Sequence, residues 1–221
     1  MSVYLFSDVD SCAQTLASLV SAAGDGEPGL SVLLANGAGT LAEPLRAALP
    51  DLLVVDVASP RFGRLNFDAV ALVVLDLPAE SLLSPQGRRL VEALGRLAQE
   101  TLALALVGET TALAGGALLD GIHAGLSLLP GTAVIPRLHL VNDLRTLLAR
   151  LSERGVRLLA MDGSVGVRYD GTTDRVLVDK STPAAAGGSV LLAAFVPGER
   201  GGVPTARLHV LSPGMEAAWP A

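Results

Sequence analysis

The stretch from Leu102 to Gly116 reads L-A-L-A-L-V-G-E-T-T-A-L-A-G-G. Its first six residues are apolar, Gly108 follows at once, and a small-residue segment of helical character begins without a spacer. A buried strand that turns sharply into a helix has this signature. In open α/β sheets the carboxyl end of such a strand faces the ligand crevice, and in many hydrolases it carries a nucleophile on a strained elbow. Here the apex of the elbow is Thr110.

Other apolar runs repeat the pattern on the amino-terminal side. Ser2 to Phe6, Leu30 to Ala35, Leu52 to Val57 and Ala69 to Leu75 read as strands. Between them, Ser11 to Ala23 and Leu41 to Leu49 have helical spacing, with Asp10 placed to cap the first and Cys12 and Leu16 on its apolar face. Ser84-Pro85 opens an amphipathic helix that runs to about Glu100. Strands alternating with such helices predict a three-layer α/β domain over residues 1–221: a mostly parallel, flavodoxin-like sheet with helices on both faces.

Beyond the elbow the pattern changes. Leu126 to Pro130 leads to a strand at Thr132 to Ile135 and a helix from Asn142 to Arg154. After Gly155 the sequence becomes hairpin-like, with Arg157 to Met161, Gly166 to Tyr169, a turn at Asp170-Gly171 and Arg175 to Asp179. Ser189 to Phe195 and Ala206 to Leu211 close the chain, so antiparallel strands are expected at the C-terminal end of the sheet.

Composition narrows the chemistry. A net charge of -6, with no basic run, argues against nucleic acid as a partner. The apolar stretches fall short of the roughly 20 residues of a membrane span, so the positive mean hydropathy is read as core. The beginning, M-S-V-Y-L-F-S-D-V-D, has no basic region and reads as a strand and not a signal peptide, which makes the expected location cytoplasmic. One cysteine, Cys12, excludes an internal disulfide, and three scattered histidines offer no metal-ligand spacing. No metal and no cofactor are expected.

G-L-S-L-L-P-G-T-A-V at Gly125 to Val134 resembles the G-L-G-L-L-P-G segment of the cyanophycinase and aspartyl dipeptidase family of serine peptidases, whose fold is related to class I glutamine amidotransferases. L-L-A-M-D-G-S-V-G-V-R-Y-D-G at Leu158 to Gly171 resembles that family's I-G-I-D-E-N-T-A segment. The resemblance implies a Ser nucleophile in G-T-S-A-G, a His and an orienting acid. This chain reads G-E-T-T-A, and the three family positions fall on Thr110, Arg137 and Gly163. An arginine stays protonated and is no general base. Leu75-Asp76-Leu77-Pro78 stands where the family has a Gly-rich turn that supplies oxyanion donors, and proline has no N–H to give.

Two readings follow. The first is a cyanophycinase-like pseudoenzyme that binds a small anionic ligand, a peptide or a partner protein at the former crevice, with Gly108, Glu109, Thr111 and Arg137 as ligand-binding residues and Thr110 as a helix cap. The alternative is an active hydrolase of peptides or isopeptide-linked amino acids, with Thr110 as nucleophile and His139 and Asp162 as displaced base and acid. Glu109 and Arg137 can also be drawn as an ion pair across the crevice. Gly115-Gly116 would allow close backbone approach, as at a homodimer contact.

Overall fold

The computed structural model describes residues 2–9, 11–12, 15–16, 30–35, 41–48, 51–59, 70–78, 84–85, 89, 103–116, 125–180, 188–196 and 205–220. Strands β1 (Ser2–Phe6), β2 (Leu30–Ala35), β3 (Leu53–Asp56), β4 (Val70–Asp76) and β5 (Ala103–Val107) lie parallel in the order β1-β5-β4-β2-β3. The apolar character of β1, β4 and β5 follows from burial on both faces. On β1, Val3 and Leu5 enter one core while Phe6 enters the other, as the two-residue period of a strand requires.

The sheet is mixed. Antiparallel strands β8 (Gly166–Asp170), β9 (Arg175–Val178) and β12 (Glu216–Ala218) extend it beyond β1, giving the order β12-β9-β8-β1-β5-β4-β2-β3. A second sheet of four strands has the order β11-β10-β7-β6, from β6 (Thr132–Ile135), β7 (Arg157–Asp162), β10 (Ser189–Val196) and β11 (Thr205–Leu211). The expected C-terminal strands therefore divide between two sheets. β12 is too short and polar for its pattern to announce a strand.

Among the described residues, helices cover less of the main sheet than the pattern predicts. On one face, Cys12 and Leu16, both helical, and Leu41, Ala42 and Leu45 around α1 (Ala42–Ala48) pack against Phe6, Val74, Ala105 and Val107. On the other face, the described residues place the second sheet: Val134, Leu159, Met161, Val190 and Leu192 share a core with Val3, Leu5, Val73 and Leu104. The far side of that second sheet packs on α2 (Leu144–Glu153) through Ile135, Leu158, Ala160 and Leu151. Among the described residues the layers follow as helix, sheet, sheet, helix. The expected helix from Ser84 is helical at Pro85 and Arg89, and its remaining residues lie outside the described ones.

Caps and turns are set locally. Asp143 caps α2 by accepting the Thr146 N–H at 2.9 Å. At the helical segment after β1 the capping carboxylate is Asp8, which accepts the Ser11 N–H at 2.9 Å; Asp10 lies outside the described residues. Between β8 and β9, Asp170 accepts the Thr172 N–H at 2.9 Å, and the turn ends at Asp174 with φ 52°. Asp174 also anchors a clamp. Arg157 donates to it at 2.7 Å and stacks its guanidinium 4.4 Å from the centre of the Trp219 ring, while the Tyr169 hydroxyl donates to it at 2.8 Å. Burial and the Asp174 carboxylate push the Tyr169 phenol up to about 12. For Asp174 burial works the other way, but the bonds from Arg157 and Tyr169 outweigh it and hold the carboxyl below its ordinary value.

Candidate functional site

The elbow forms at the end of β5 because Gly108 takes φ 59°, a left-handed conformation that suits glycine. The positive φ falls on this residue and not on Thr110 or Thr111, so no β-branched residue is strained. A 3-10 helix, Gly108–Ala114, follows. Thr110 is its third residue and therefore not its cap.

Both hydroxyls of the elbow are turned inward. Thr110 is fully buried: its Oγ1 accepts the Val107 N–H at 3.0 Å and donates to the Leu75 carbonyl at 2.9 Å, with the Val107 carbonyl also in hydrogen-bonding contact. Thr111 is equally buried and donates to the Gly108 carbonyl at 2.7 Å. An attacking hydroxyl must direct its proton at a base and its lone pair at a substrate. The Thr110 proton points at backbone carbonyls, and the side chain ties the end of β5 to the end of β4. Glu109 is exposed.

Gly115 and Gly116 accommodate this chain's own backbone. Gly116 donates its N–H to the Thr132 carbonyl at 3.0 Å, and a Cβ built on Gly125 would stand 2.1 Å from the Gly115 carbonyl oxygen. Among the described residues, the close backbone approach at this pair comes from residues 125–132 of the same chain.

The second cluster lies at the end of β7. His139, in the short 3-10 helix Leu138–Leu140, places Nδ1 3.0 Å from Asp162 Oδ1, and both side chains are about half exposed. With Nδ1 so engaged, Nε2 is the nitrogen available to a ligand. Arg137, which precedes that helix, is exposed. No ion pair joins it to Glu109 among the described residues. Asp162 is followed by Gly163, at φ 71°, and then by Ser164, whose hydroxyl reaches Asp8 at 2.9 Å. One turn therefore serves two clusters. None of the hydrogen bonds of Thr110 reaches Arg137, His139 or Asp162.

A polar cluster that sequence reasoning missed lies where β1 ends. Asp8 accepts from Ser11 and Ser164, the Ser7 hydroxyl accepts the Val165 N–H at 2.8 Å, and Thr15 donates to Asp179. Cys12 is buried beside it. Burial, then the carboxylates of Asp76 and Asp8, push its thiol well above the usual range and keep it protonated. The D-x-x-S spacing of Asp8 and Ser11 was the one local signal of this cluster; the partners at Ser164 and Asp179 come from the other end of the chain.

Neither a protein-family model nor a curated protein matches the sequence. Among solved structures, a candidate peptidase E from Listeria monocytogenes is similar, at a TM-score of 0.53 and 12% identity over 80% of this chain and 97% of that one. The fold is peptidase E-like. At this identity the likeness concerns the course of the backbone and leaves the side chains to be read on their own. In this chain the elbow after β5 has its threonine hydroxyl sealed inside, and a His–Asp pair stands open on a neighbouring element.

Proposed function

We propose that this peptidase E-like protein is a pseudoenzyme that does not hydrolyse peptides through Thr110 and binds a small carboxylate-bearing ligand at Arg137 and His139. The observation that carries the reading is the burial of Thr110, whose hydroxyl proton is directed at main-chain carbonyls. Freeing it would break the bonds that close the elbow, at about 1–3 kcal/mol for each polar group left unpaired in the interior. Arg137 supplies a permanent positive charge and two-pronged hydrogen bonding, and His139, oriented by Asp162, adds a donor or acceptor at Nε2. Gly108, Glu109 and Thr111 contribute shape more than contacts, because Thr111 is bonded to the elbow itself.

The 3.0 Å contact between His139 and Asp162 favours a second reading, an active hydrolase of peptides or isopeptide-linked amino acids. An imidazole held by a carboxylate is the arrangement a general base needs. Turnover of Asp-containing dipeptides and β-aspartyl-arginine polymer by wild type, Thr110→Ser, Thr110→Ala and His139→Ala separates the two. The pseudoenzyme reading expects no turnover in any of them, together with a thermal shift on dicarboxylates that Arg137→Ala abolishes. Turnover in wild type that is lost in both Thr110→Ala and His139→Ala would establish the hydrolase instead.

A further inference from the structure

The four-stranded sheet ends on one side in β11, and that edge differs from the others. β3 and β6 are four residues long and β12 three, and β6 is buried throughout. β11 runs for seven residues, six of them exposed, and among the described residues no strand pairs with its outer side. Its register on β10 places Ala206, Leu208 and Val210 beside Phe195, Ala193 and Leu191, on the face that α2 covers farther in. Leu208 is 53% and Val210 63% exposed. Soluble proteins blunt such edges with lysine, proline, bulges or covering segments. T-A-R-L-H-V-L has no lysine and no proline, its register on β10 is unbroken, and Arg207 is its only formal charge.

We propose that β11 is the seam of a homodimer, in which two copies pair these strands antiparallel about a two-fold axis at Leu208 and join their four-stranded sheets into one. That axis is the one that engages all seven residues. It sets Leu208 against Leu208 and Ala206 against Val210 on the apolar face, a small residue opposite a branched one each time, and sets Arg207 across from His209 on the other face. Because the axis stands perpendicular to the sheet, α2 of each copy lies on the same side, and the exposed leucines and valines fill the strip between the two helices. Charge favours a second copy at this place. Each protomer carries -6, and β11 contains no acid, so this seam sets no carboxylate of one strand against a carboxylate of the other. A strand of this length is about 23 Å long, which puts the contact at the small end of specific interfaces and makes the dimer reversible on dilution.

Sedimentation equilibrium of the full chain between about 5 and 500 µM, with hydrogen exchange read at both ends of the range, tests the pairing. The expected result is a reversible dimer, with the amides of residues 205–211 gaining protection as concentration rises. Leu208→Lys and Val210→Lys, at exposed positions that the fold does not need filled, should each raise the dissociation constant at least about tenfold. Leu140→Lys, exposed on the connection before α2, should leave it unchanged. A chain that is monomeric across the whole range overturns the proposal, and so does a dimer indifferent to Leu208→Lys, since its interface would lie elsewhere.

Discussion

The end of β5 and the end of β7 both deliver reactive side-chain types to the rim of a sheet, and they do so in opposite states. At the first, Thr110 is fully buried and hydrogen-bonded to the strands it joins. At the second, His139 and Asp162 face each other with about half of each side chain in solvent. The difference teaches where the two groups can act. A hydroxyl committed to main-chain groups contributes to the fold, while an imidazole on a surface pair contributes little to stability and remains free to meet a ligand.

The sharpest way to break this contrast concerns Cys12, on the closed side. Its burial and its raised pKa predict that an aromatic disulfide reagent at pH 8 modifies the native thiol at least about a hundred-fold more slowly than the guanidinium-unfolded one. Comparable rates would show the closed region to be open. Next in size, Thr110→Val, which keeps the shape and removes the hydroxyl, should destabilise by about 2 kcal/mol and lower Tm by about 4–8 °C. A change in turnover without a change in stability would reverse the assignment of the two regions.

A smaller effect is expected at high pH. A folded-state pKa raised to about 12 on Tyr169, against an ordinary value of 10.0, contributes stability that is complete below pH 10 and is lost as pH rises toward 12. Denaturant titrations across that interval should show a loss on the order of 2 kcal/mol that is absent in Tyr169→Phe. Asp174 has the opposite sign: its lowered pKa gives stability that is present above the ordinary carboxylate value and lost as pH falls below it. The smallest effect belongs to His139→Ala, expected to change stability by less than about 0.5 kcal/mol because its contact with Asp162 is exposed. A loss several times larger, measured by urea unfolding, would mean that the β7 cluster is structural after all.

Much of the architecture was legible in the residues. Ser2–Phe6, Leu30–Ala35 and Thr132–Ile135 form strands at the expected bounds, and the elbow turns at Gly108. These are local matters, settled by apolar runs and by a glycine placed directly after one. The pairing of strands was less legible, because β6, β7 and β10 read as the same apolar runs whether they join the first sheet or pack across it. The family resemblance likewise brought His139 and Asp162 forward as displaced base and acid, and the fold brings the two to 3.0 Å.

What the sequence by itself determined is where most of the strands fall, the glycine turn after β5 and the residue types at the elbow, since short-range periodicity and turn chemistry act within a few positions. What only the tertiary structure decided is which of those residues are sealed. Thr110 is turned inward by the Leu75 carbonyl, 35 residues away; Asp8 is met by Ser164, 156 residues on; Asp162 is met by His139 across the start of a second sheet. A hydrogen bond between distant segments depends on how sheets stack, and no pattern of neighbours along the chain encodes that distance.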